Sequence, residues 1–66
     1  MNIFYSPNIC TTPFLPEEES LHCIKVLRLN KGELIHDIDG VGGFFVAKII
    51  EPHRKKTKIE IIEVIN

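Results

Sequence analysis

The sequence predicts a mainly β, α+β domain: a small bent sheet or β-barrel closed by one short helix. Three observations lead there. Runs rich in β-branched and aromatic residues recur near 3–5, 34–39, 44–50 and 57–65, the composition of half-buried strands. Only residues 17–27 carry apolar side chains at the helical spacing of three. Proline- and glycine-bearing stretches separate the runs. With 66 residues there is room for one domain, 1–66, whose core supplies no more than about 3–5 kcal/mol. A core and a buried catalytic cleft do not both fit.

Ile3 to Tyr5 read as a first short strand. Pro7, Pro13 and Pro16 then exclude a regular central element. From Pro16 the signal becomes helical, because proline suits a helix start and Glu17, Glu18 and Glu19 suit the positive end of the dipole. Leu21, Ile24 and Leu27, flanked by Cys23, form the apolar side of a helix over 17–27. Asn30-Lys31-Gly32 stops it. After Gly32 the period drops to two. Leu34, His36 and Ile38 share one face, with Ile35, Asp37 and Asp39 on the other.

The run from Asp39 to Gly43 is the turn of a hairpin whose second strand is Phe44 to Ile50. That strand is apolar on both faces, as a central strand or one lying under a partner would be. Glu51 to Lys56 forms another turn, and Thr57 to Ile65 a last strand whose alternation slips between Ile61 and Ile62, predicting a bulge. Strong β signal runs almost to Asn66, so further protein is expected beyond it.

The apolar fraction is 44% and the net charge −1, a globular balance. No apolar run is long enough to span a membrane, and the start lacks a basic signal-peptide region. A cytoplasmic address is the expectation. The charge is segregated: Lys25, Arg28 and Lys31 form one basic block, and Arg54, Lys55, Lys56 and Lys58 another. Such segregation suits a local anion site better than indiscriminate polyanion binding.

Most catalytic constellations are absent. Cys10 and Cys23 stand thirteen apart, and His22, His36 and His53 show no metal-ligand spacing, so free thiols are expected and zinc is not. His22 directly precedes Cys23 on the helix, where side chains diverge by about 100° and cannot pair as base and nucleophile. Gly40, Gly42 and Gly43 precede a strand instead of a helix N-terminus, so they suit a hairpin and not a phosphate loop. No residue is a candidate for catalysis, cofactor binding or metal.

One constellation remains. His22, Lys25 and Arg28, at spacing three, form a polar stripe on a continuing helix, with Lys31 just beyond. Arginine offers phosphate a bidentate fork and lysine a point charge. The competing reading is a solvated face in which Glu18 pairs with His22. The second block, Arg54, Lys55, Lys56 and Lys58, is a secondary anion-binding candidate, with an ordinary solvated hairpin as its competing account.

The run from Glu17 to Leu29, then Lys31-Gly32 and Asp39-Gly40, with Phe4-Tyr5 near the start, resembles the N-terminal domain of the RsmE family over essentially the whole chain. Those proteins are 16S ribosomal RNA methyltransferases acting on N3 of a uridine. The resemblance implies a PUA-like RNA-binding β-barrel here. It also implies a C-terminal SPOUT methyltransferase domain, absent from this chain, that binds S-adenosylmethionine and forms a homodimer. No cofactor is implied for the chain itself, and 16S RNA of the small ribosomal subunit is the implied partner. His22, Val26, Leu27, Arg28, Gly32, Asp39 and Gly40 fall on motif positions, and Leu21 stands where many members carry a second histidine. Arg28 is the residue the resemblance singles out for RNA contact. A structural module packing on its catalytic partner is the alternative role.

Overall fold

The computed structural model describes residues 2–66; Met1 of the expected domain lies outside them. Four strands, β1 (Ile3–Tyr5), β2 (Leu34–Ile38), β3 (Phe44–Glu51) and β4 (Lys58–Val64), form one mixed sheet in the order β1-β2-β3-β4. β1 runs parallel to β2, and the remaining pairs are antiparallel. The helix α1 (Glu17–Leu21) crosses the core face and continues into a π-helical segment, His22–Val26.

The expected elements are present, with one difference at the rim. The sheet is open and not a closed barrel. Beyond β4 its neighbour is the segment around Phe14, which bridges to Lys58, while Leu15 N–H donates to Thr57 O and Ile59 N–H to Pro13 O. Pro7, Pro13 and Pro16 keep this segment from extending into a strand that could close the ring.

Phe4, Ile35, Phe45, Ala47, Ile49 and Ile59 from the sheet pack on Cys23, with Ile9 and Leu15 of the proline-rich loop completing the core. The interior strand β3 buries Phe45, Val46 and Ala47 in succession, as its two-faced apolar pattern requires. The expected bulge lies opposite Val46/Ala47, where pairing passes from Glu63 to Ile61 and leaves Ile62 without a partner.

The helix docks differently from its expected apolar side. Ser20 and Cys23 are fully buried, Ile24 and Leu27 are partly so, and Leu21 is exposed. The helix also ends differently. Leu27 N–H donates to His22 O, the i→i+5 bond of a π turn, and Leu29 N–H reaches back to Cys23 O. The residue in left-handed conformation after the helix is Arg28, at φ 53°, and not Gly32. Gly32, at φ 93°, serves the next turn, where Glu33 N–H donates to Asn30 O.

The β2–β3 turn is set by Asp39, whose Oδ1 accepts from Val41 N–H at 2.9 Å and Gly43 N–H at 2.8 Å. Gly40 has φ 82°, and a Cβ there would come within 2.8 Å of the Tyr5 ring. Glycine is required at that position.

Candidate nucleic-acid interface

The sheet register carries Lys31 of the first basic block and the whole of the second block to one end of the molecule. Gly32 N–H donates to Ile49 O and Ile49 N–H to Glu33 O, so the Lys31 turn lies against the end of β3. Glu51 pairs with Lys58, and Arg54 to Lys56 occupy the turn between them. Lys48, opposite Leu34, adds a further exposed cation. Thus Lys31, Lys48, Arg54, Lys55, Lys56 and Lys58 share the end where β2 starts and β3 finishes. Glu60 opposite Lys48, Glu51 opposite Lys58 and Glu33 beside the Lys31 turn moderate the charge without cancelling it.

Each candidate has a definite place. His22 opens the π-helical segment, and its ring meets Phe4 edge-on at 6.3 Å. Lys25 lies on the π turn and is exposed. Arg28 is exposed just past the helix, and Lys31 is exposed in the following turn. The helical stripe expected of His22, Lys25 and Arg28 does not form. A π turn carries i+3 neighbours further around the axis than an α turn does, and the left-handed Arg28 redirects the chain.

The second block has an exposed rim and a buried anchor. Arg54, Lys55, Lys56 and Lys58 are exposed, while Thr57 is fully buried. Thr57 Oγ1 donates to His53 O at 2.6 Å and accepts from His53 N–H at 3.1 Å. Its own N–H donates to Ser20 Oγ at 2.9 Å, and Ser20 Oγ donates to Leu15 O. Lys55 N–H donates to His53 Nδ1. A turn tied down in this way presents its cations from a fixed backbone. Sequence reading missed two participants. Lys48 needed the register to be known, and Phe14, in the Pro-Phe-Leu-Pro run, lies 4.7 Å beneath Lys56 Nζ.

The opposite end is acidic, with one carboxylate, Asp37, turned inward. Asp37, paired with Phe4 and Phe45, is fully buried, and neither carboxylate oxygen has a hydrogen-bond partner. Burial pushes its pKa up to about 6; the nearby Ser6 hydroxyl and the Ile38 backbone oppose that rise, while Glu19 and Asp39 add to it. Ser6 Oγ itself is buried without a hydrogen bond of good geometry. Glu19 accepts from Tyr5 N–H at 2.8 Å. Cys10 and Cys23 are unpaired. Burial, then Glu33 and Glu19, raise the Cys23 thiol to about 11, which leaves it unreactive. Among the described residues no group of three metal-ligating side chains converges, and no helix is long and apolar enough to cross a membrane.

A family described as the RNA methyltransferase PUA domain matches residues 15–62, most of the chain. The chain belongs to that family. The PUA domain superposes on the probable rRNA methyltransferase of Porphyromonas gingivalis with a TM-score of 0.91 at 33% identity, over 97% of this chain and 27% of that one. The ribosomal RNA small subunit methyltransferase E of Neisseria gonorrhoeae, solved bound to S-adenosyl methionine, gives 0.80 at 26% identity, over 97% of this chain and 27% of that one. The PUA domain therefore spans about a quarter of the length of these two proteins. Two grooves, open to solvent, lie beside Pro7 and Pro16.

Proposed function

We propose that this PUA domain binds and positions RNA for an S-adenosylmethionine-dependent methyltransferase acting on N3 of a uridine in 16S ribosomal RNA. The observation that carries the reading is the gathering of Lys31, Lys48 and the whole second basic block at one end of the sheet in a member of an RNA methyltransferase domain family. Arg28 supports it. A non-glycine residue held at positive φ stores strain that function can retain, and π turns recur at functional sites.

In this reading Arg28, Lys25 and Lys31 contact phosphates, with His22 at the border of the site and Arg54, Lys55, Lys56 and Lys58 as the second contact. The methyl group comes from S-adenosylmethionine on a C-terminal methyltransferase domain of a longer, cytoplasmic, homodimeric protein. The present domain holds the strand while the target base is presented there. Its contribution is to binding and orientation.

The test is salt-dependent affinity for small-subunit rRNA fragments. With about three phosphates neutralised, the log–log salt slope should lie near −2 to −3, at roughly 0.7–0.9 per phosphate. Arg28→Ala should weaken binding and flatten the slope by about one contact while leaving the fold intact. If Arg54→Ala costs more than Arg28→Ala, the second block is the principal site.

A second reading has its own observation. On the sheet face away from the helix, Ile3, Tyr5 and Leu34 are 61%, 47% and 43% exposed, a surface suited to packing on a catalytic domain. It becomes the better account if neither arginine substitution changes binding or its slope.

A further inference from the structure

The loop between β1 and α1 contains a built groove that shares only Lys56 with the phosphate contacts. Ile9 and Leu15 pin the loop to the core. Asn8 O accepts hydrogen bonds from Thr11 N–H, Thr12 N–H and Thr11 Oγ1, so the rim is fixed before any ligand arrives. Ser6, Pro7, Asn8, Thr12, Phe14 and Lys56 line a cleft of about 340 Å³, the small end of the range for small-molecule sites. Its character is an aromatic ring, apolar proline walls, one cation and two exposed groups, the Asn8 amide and the Thr12 hydroxyl, that can each donate and accept.

Electrostatics gives the cleft a direction. Across Pro7 and Pro16 lies a second groove of about 420 Å³, lined by Tyr5 and Glu17 to Glu19. Three carboxylates repel a phosphodiester strand from that side. Lys56 belongs to the basic turn, so a strand following the basic end reaches the first groove and not the second. Lys56 Nζ rests over the Phe14 ring at 4.7 Å. An exposed cation–π contact is weak and gives way readily. A base can take the ring face while the released ammonium meets its phosphate.

We propose that this cleft is a subsite for one unstacked nucleobase of single-stranded RNA. The base stacks on Phe14, its polar edge faces Asn8 and Thr12, and its phosphate is met by Lys56. The proposal rests on the RNA-binding reading above and adds a preference for single strands that phosphate contacts alone do not create.

The experiment is fluorescence anisotropy of the chain with a labelled oligouridylate and with an RNA duplex of equal length, across a salt series. Phe14→Leu keeps apolar volume against the core and removes the stacking face. It should weaken oligouridylate binding about fivefold or more at an unchanged salt slope, with duplex binding unaffected. Lys56→Ala should instead flatten the slope by about 0.7. Wild-type affinity in Phe14→Leu, with Arg28→Ala still weakened, overturns the subsite and leaves the RNA-binding reading standing. Equal losses on duplex and single strand also overturn it, because they mark Phe14 as structural. A wild-type chain that binds neither RNA defeats the broader reading and the subsite with it. Should Phe14→Leu fold poorly, titration of the wild-type chain with uridine 5′-monophosphate, followed by amide NMR, decides the matter. Shifts confined to the cleft, at Asn8, Thr12, Phe14 and Lys56, support the subsite, and shifts elsewhere or none overturn it.

Discussion

The two ends of the sheet treat charge in opposite ways. Where β3 finishes, Lys31, Lys48, Lys58 and the Arg54–Lys56 turn stand exposed, held by backbone and hydroxyl hydrogen bonds that leave their charged groups free to act. Where β3 begins, the carboxylates are used by the fold. Asp39 fastens the hairpin turn, Glu19 caps Tyr5 N–H, and Asp37 is buried beside Ser6. A net charge of −1 is thus compatible with an anion-binding end, because the cations gather there while Glu17 to Glu19, Asp37 and Asp39 lie at the other end.

The strongest challenge to the displayed end is Ser20→Ala. The hydroxyl accepts from Thr57 N–H and donates to Leu15 O, all within the core. Leaving a buried N–H and a buried carbonyl unpaired costs about 2–3 kcal/mol, more than half of what a domain this small commands. Urea denaturation should show the midpoint falling sharply. A change under about 0.5 kcal/mol would mean that the basic turn is not anchored through Ser20.

At the opposite end, Asp37→Asn tests whether the buried carboxylate opposes folding. Its pKa near 6 in the fold, raised by burial, exceeds the value of about 4 in the unfolded chain. Between these values the folded protein holds a proton that the unfolded chain has released. Stability is therefore full below about pH 4 and declines as pH rises through 6. The unfolding free energy of the wild type relative to Asp37→Asn should fall by about 2 kcal/mol between about pH 4.5 and about pH 7.5. A pH-independent difference would show that Asp37 has a partner in solution.

These contrasts were unequally legible beforehand. Local signals reached far: the aromatic start of β1, Pro16 before α1, the Asp39–Gly43 turn and the slip at Ile61–Ile62 each report a neighbourhood of a few residues. The period of two put Ile35 and Asp37 on one face, yet the choice of that face as the interior was made by the docked helix. That Lys31 and Lys58 share one end of the sheet depends on strand register between distant segments. The contact of Lys56 with Phe14 depends on how the proline-rich loop closes over β4. The π turn arises where the helix must bury Ser20 and Cys23 and still return Leu29 to the core; an amphipathic pattern read at the α period does not contain that change of winding.

The finest test of the displayed end is Arg28→Gly. Arg28 occupies φ 53°, a region where a side chain crowds its own backbone and glycine does not. At a helix terminus in this conformation glycine is the usual occupant. The substitution should raise stability by up to about 1 kcal/mol, because the relieved strain outweighs the added freedom of the unfolded chain. The same change removes the guanidinium. If Arg28 is retained for RNA, Arg28→Gly and Arg28→Ala should lose RNA affinity alike, with the salt slope flattened by about one contact, while only the glycine variant melts higher than the wild type. Arg28→Lys should recover much of the slope, which follows charge, and less of the affinity, which follows the bidentate fork. A glycine variant that is more stable and binds RNA as well as the wild type would separate the strain at this position from binding and assign the left-handed arginine to the local path of the chain alone.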